Sequence, residues 1–179
     1  MMTVSKTAML ALLAALSVGA RAQQKAAPTD AQIAAIVVTA NQVDIDAGKL
    51  AIGRAHAKDV KEFARLMVED HTNVNKAAVA LAHKLNLTPE DNATSHSLKQ
   101  GGDDNLAKLR TLKGEAFDTA YIDHEVAYHE AVLDAVDKIL IPDAQSPALK
   151  ALLRQARPTF VAHLEHARLI QRELGKSGE

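Results

Sequence analysis

Residues 66–74, LMVEDHTNV, carry the apolar beat of a helix through Met67 and Val74, and His71 falls where that beat calls for another apolar side chain. Followed in alternating steps of three and four, the chain yields four apolar seams, each one face of a helix. The first holds Ile33, Val37, Ala40, Asp44, Ala47 and Ala51, and the second Val60, Ala64, Met67, His71, Val74, Ala78, Leu81 and Leu85. The third runs Ile122, Val126, His129, Leu133, Val136, Leu140, and the fourth Leu149, Leu153, Ala156, Phe160, His163, Ala167, Ile170, Leu174. Each seam is apolar apart from a single interruption. The interruptions are Asp44, His71, His129 and His163.

The residues between the seams set the element boundaries. Thr29 or Asp30 can cap a first helix running to about Arg54, and AHAKD makes a tight turn into a second, from about Lys58 to Leu85. Residues 86–114 are polar and rich in turn formers, so they read as a crossover. Pro89 and Gly101-Gly102 punctuate it, and DDNLAKLRTL forms one short helix within it. A third long helix is predicted from Glu115 to about Leu140, closed by Pro142. Pro147 opens the fourth, which runs to about Leu174 with Gly175 as its stop, and Pro158 predicts a kink or break inside it.

Four helices without β-type alternation predict an all-α four-helix bundle. A helix of about 25 residues spans roughly 40 Å, and the crossover is long enough to carry the chain back along that length. Two helical hairpins joined by one long crossover with one short helix is the ferritin-like arrangement. The 179 residues suffice for one such domain, assigned to residues 30–175, with a linker at 23–29 and a tail at 176–179.

The N-terminus reads as a targeting segment. MMTVSK carries one lysine, TAMLALLAALSVG is apolar, and Ala20-Arg21-Ala22 has the small-x-small form of a cleavage site. Residues 1–22 are thus expected to be a signal peptide, the mature chain to start near Gln23, and the protein to be periplasmic or secreted with no stable membrane anchor after cleavage. The chain has no cysteine, which excludes a lipoprotein anchor, disulfides, thiolate metal sites and cysteine nucleophiles. With 21 basic and 22 acidic residues the net charge is −1, so no long-range field recruits nucleic acid or an anionic membrane. Aromatics at 3 %, with no tryptophan, provide no base-stacking platform.

The seam interruptions carry the chemistry. A buried imidazole or carboxylate without a partner costs a few kcal/mol. Four scattered through one core would weigh heavily against a total stability of about 5–15 kcal/mol. That cost falls if they meet, or share a cation. A pivot for the first hairpin near residue 56 sets His71 about three residues, some 4–5 Å, from the height of Asp44. A pivot for the second near residues 143–144 leaves His129 and His163 about five residues, roughly 7–8 Å, apart in height, a stretch unless Pro158 shifts the register. Three imidazoles and a carboxylate suit one transition-metal ion, Zn²⁺, Fe²⁺ or Cu²⁺. The other reading is a dry hydrogen-bonded network of His71, His129 and His163 with Asp44, Asp70 or Tyr121. Glu125, four residues before His129, can orient that ring or form a plain solvent-side salt bridge. No histidine has Asp or Glu three residues before it, which argues against a di-iron centre. Gly-rich phosphate loops, serine-nucleophile motifs and HExxH are absent from the sequence.

The segments DIDAGKLAI (44–52), VKEFARLMVEDH (60–71), FDTAYIDHEVAYHEAV (117–132) and PTFVAHLEHAR (158–168) resemble the bacterial family called domain of unknown function 4142. The Asp70-His71 pair, His129 and His163 follow that family's pattern. Asp44 and Asp46 stand where the resemblance leads one to expect glutamates, and Arg157 where a leucine is usual. The resemblance implies an exported ferritin-like bundle and supplies no reaction. Three functional readings follow: a periplasmic binding protein that holds a transition metal or serves envelope stress handling, a metal-dependent redox enzyme, or a structural bundle whose histidines fix its register. The first is favoured, without catalysis; a homo-oligomer is left open.

Overall fold

The computed structural model describes residues 27–177. The expected signal peptide, residues 1–22, lies outside the described residues. The helices are α1 (Asp30–Arg54), α2 (Lys58–Lys84), α3 (Ala93–Thr111), α4 (Gly114–Ala135), the short α5 (Ile141–Asp143) and α6 (Pro147–Ser177), with a π-helical turn (Val136–Leu140) joining α4 to α5. Hairpins α1–α2 and α4–α6 pack into a ferritin-like four-helix bundle, and α3 lies along α1 as the crossover. No strand occurs among the described residues.

Local chemistry accounts for most of the boundaries. Thr29 accepts from the Gln32 N–H while the Gln32 side chain accepts from the Thr29 N–H, a reciprocal cap that starts α1. α2 ends where Asn86 takes φ 52°, a left-handed conformation that asparagine tolerates, and Leu87 N–H returns to Ala82 O at 2.9 Å. Two carboxylates then tie the hairpins to each other. Asp118 of α4, fully buried, accepts from His56 N–H at 2.9 Å and Ala57 N–H at 2.7 Å, capping α2 from the opposite hairpin. Asp30 of α1 accepts from Gln145 N–H and Ser146 N–H, both at 2.8 Å, in the turn before α6.

Three expectations need correction. The crossover holds a helix of 19 residues, not a short one, and Gly101-Gly102 lie inside it. Asn92 caps it, accepting from Thr94 N–H and Ser95 N–H while Ser95 accepts in return, and Arg54 caps its far end by donating to Arg110 O and Leu112 O at 3.0 Å. Gly102 serves packing: a Cβ there would meet Val43 Cγ2 at 2.8 Å, so only glycine lets α3 approach α1 this closely. α6 runs unbroken through Pro158, because Pro158 and Arg154, whose carbonyl the proline leaves without its helical partner, both sit on the exposed face. It also continues past Gly175 to Ser177.

Two apolar clusters fill the bundle. One gathers Phe63, Met67, Leu109, Phe117, Tyr121 and Ile122 near the α1–α2 turn. The other gathers Ile33, Ile36, Val37, Val136, Leu140, Leu149 and Leu153 near the α5–α6 turn. The polar seam residues lie between them.

Candidate metal centre

Asp44, His71, His129 and His163 are each at most 3 % exposed, so all four interruptions enter the core. The three imidazoles converge. Their ring centroids are 5.5 Å (His71–His129), 5.2 Å (His71–His163) and 5.5 Å (His129–His163) apart, nearly an equilateral triangle. The height mismatch between His129 and His163 disappears because the helical path of the second hairpin continues to Asp143 and α6 starts at Pro147. The pivot is therefore near residue 145, which leaves an offset of about two residues, ~3 Å.

Each ring has one nitrogen held from outside the triangle. His71 Nδ1 donates to Asn41 Oδ1 at 2.9 Å, and the Asn41 amide donates to Val37 O at 2.7 Å, which orients it as acceptor. His129 Nδ1 donates to Glu125 O at 3.0 Å. His163 Nε2 donates to Asp70 Oδ2 at 2.8 Å. Since all three partners accept, they fix the tautomers. The remaining nitrogens, His71 Nε2, His129 Nε2 and His163 Nδ1, are buried lone pairs without a hydrogen-bond partner. The three histidines offer donor atoms within 4.8 Å of one another. Phe160 stacks on His71, with centroids 5.3 Å apart and planes 4° from parallel, and closes one side.

A second group adjoins the first through His129. Asp44, Glu125 and His129 also present ligand atoms within 4.8 Å of one another. Glu125 is fully buried, so it is no solvent-side salt bridge. It orients His129 through its main-chain carbonyl, while both oxygens of its carboxyl group, like Asp44 Oδ1 and the Tyr121 hydroxyl, have no hydrogen-bond partner. Asp44 Oδ2 lies 3.5 Å from His71 Nδ1.

Burial dominates the electrostatics. It pushes Glu125 up to about 8 and raises Asp44 well above the carboxylate range, the latter helped by the neighbouring Glu125 charge. Burial likewise lowers His129 to about 4, with His163 adding to the effect, and depresses His71, beside His129 and His163. His163 is lowered by burial and partly restored by Asp70. Tyr121 is held protonated by burial and by the Glu125 and Asp44 charges. Burial thus favours the neutral form of the imidazoles and carboxyl groups alike, with His71 Nδ1 and His129 Nδ1 turned toward Asp44 and Glu125.

The expected outer residues divide. Asp70 and Tyr121 border the site, Asp70 through a direct bond to His163. Asn41 and Phe160 belong to it as well, although sequence reasoning gave Asn41 no role and placed Phe160 only in a seam. A step of four from Val37 reaches Asn41, while the seam written above passes through Ala40.

The donor set is that of a nitrogen-rich site for a borderline divalent ion, with oxygen donors beside it. The Domain of unknown function (DUF4142) family model matches residues 15–170, and the chain belongs to that family. Among curated proteins, none matches the sequence. Two solved structures share the fold. One, from Streptomyces coelicolor, is described as a "putative secreted protein DUF305": 15 % identical, TM-score 0.69, covering 82 % of this chain and 93 % of its own. The other is CopM in the Cu(II)-bound form: 14 % identical, TM-score 0.63, covering 83 % of this chain and 99 % of its own. No helix among the described residues is long and apolar enough to cross a membrane.

Proposed function

We propose that this protein is an exported metal-binding bundle that holds one divalent transition-metal ion, Zn²⁺, Fe²⁺ or Cu²⁺, on His71, His129 and His163. Asp44, in the adjoining group with Glu125 and His129, is the candidate oxygen donor. The observation that carries the reading is three converging imidazoles, each with one nitrogen held and the other buried without a partner. A hydrogen-bonded network would engage those lone pairs; a metal site leaves them free and fixes the rings from behind. The Cu(II)-bound state of CopM, a neighbour of the same fold, and the secreted character given for the other neighbour support the same class. Glu125, pushed up to about 8 by burial, holds a proton that a neighbouring cation would displace, so uptake near pH 7 should release protons.

The test is metal titration with elemental analysis on residues 23–179, alongside His71→Ala and His129→Ala. Near one equivalent bound, and lost in both variants, is the expected result. No retained metal, with both variants merely less stable, would leave the histidines as a structural network. Acidification below the ordinary histidine range, toward about 4 for His129, should weaken retention, because imidazole binds metal only when unprotonated.

A further inference from the structure

Beside the histidine triangle, on the side of the α5–α6 turn, lies a cavity of about 160 Å³. Its walls are aliphatic: Ile36, Val37, Val132, Val136 and Leu153 surround it, and Phe160, stacked on His71, lines the side toward the imidazoles. Four alanines, Ala40, Ala131, Ala135 and Ala156, stand on its surface, where larger apolar residues would fill the space. A void of this size forfeits packing contacts on every side, and a dry apolar cavity of similar volume accepts a benzene-sized molecule. The π-helical turn adds a second oddity. Its Val136 and Leu140 both line the cavity, and such turns, rare in helices, are frequent at functional sites.

The cavity has two distinguishable ends. At one, Asn41, Asp44 and His71 back the wall with their polar atoms covered, so the chamber surface is almost wholly apolar. At the other, Thr94, Leu98 and Tyr128 also line a surface cleft between α3 and α4. These three residues form the mouth. Tyr128 is held in place there, its hydroxyl donating to Ala40 O at 3.1 Å. No lysine or arginine lines the cavity, so nothing in it would compensate an anionic head group.

We infer that this chamber binds an uncharged, ring-sized apolar molecule, which passes between α3 and α4. The inference stands on the chamber alone and holds with or without a metal ion.

Phenol and benzene serve as probes and benzoate as the charged control, titrated calorimetrically into the metal-free chain. Benzene should bind at one equivalent and raise Tm by about 3–5 °C at ten times Kd, with phenol weaker because its hydroxyl finds no partner, while benzoate should not bind. Methyl NMR should place the largest shifts at Val132, Val136 and Leu153. Ala156→Leu should weaken benzene binding by about tenfold or more while retaining cooperative unfolding. If that variant does not fold, Ala135→Leu fills the same space from α4. Absence of saturable binding by either neutral probe would overturn the inference. So would binding unchanged in a folded filled variant, or methyl shifts confined elsewhere. Metal titration of the same samples reads the histidine centre separately, so either reading can fail alone.

Discussion

The two ends of the bundle are built from the same long helices and filled differently. Near the α1–α2 turn, Phe63, Phe117 and Tyr121 occupy the axis with no exposure, Phe63 and Phe117 each with its centroid 6.3 Å from that of Tyr121. Near the α5–α6 turn the buried cluster is wholly aliphatic and borders the chamber. The polar centre lies where the two meet. One end thus provides dense packing, and the other keeps space and unpaired donors that a protein optimised only for stability would fill.

Large-to-small substitutions test that contrast most strongly. Phe63→Ala should cost about 3–5 kcal/mol in urea unfolding, since rings fixed on several sides cannot collapse into the space. Leu153→Ala, on a wall that already borders a void, should fall at the low end of its class, about 2–3 kcal/mol. Equal losses at both sites would remove the distinction between the ends.

The metal-free protein should show a stability maximum near pH 6.5. Glu125, raised to about 8, and Asp44 keep protons in the fold that the unfolded chain releases at lower pH, so their stabilising contribution is lost as pH rises toward 8. The lowered histidines work oppositely: the unfolded chain takes up protons below about 6.5. His71, His129 and His163 therefore lose their contribution as pH falls, through about 4 for His129. Just below 6.5 three histidines outweigh two carboxyl groups, and each group contributes at most about 1.4 kcal/mol per pH unit. Thermal unfolding from pH 5 to 8 reads both limbs. A flat profile would mean that the centre is hydrated instead of buried.

The smallest effects concern α3, whose first turns wall the hollow end. Gly102→Ala forces a Cβ against Val43 and should cost about 1–2 kcal/mol. Gly101→Ala, with nothing within 4 Å of the added atom, should gain about 0.5–1 kcal/mol from helix propensity. Similar signs for the two would show that α3 is not held by that close approach.

Periodicity made the four seams and their polar interruptions legible, because burial follows the helical repeat directly. The α3 helix was hidden for a tertiary reason. Gly101-Gly102 reads locally as a turn, and only the approach of Val43 explains why a helix carries glycine there. Asn92 followed three residues on by Ser95 is a capping signal that outweighs the glycines. Of the site, its four core residues could be read and their meeting could not, since His129 faces His163 only once both hairpin ends are known. Glu125 was ambiguous because a carboxylate four residues before a histidine reads the same in water as in a core.

Asp30 and Asp118 give the bundle the character of a buckle fastened at both ends. Each belongs to one hairpin and grips the turn of the other, at opposite ends of the molecule. Sliding one hairpin past the other by a helical turn would have to release both grips together. His71 rides on the first hairpin and His129 and His163 on the second, so the spacing of their nitrogens is set by fastenings far from the nitrogens themselves. Slackening either turn would therefore be felt at the centre as a change in span.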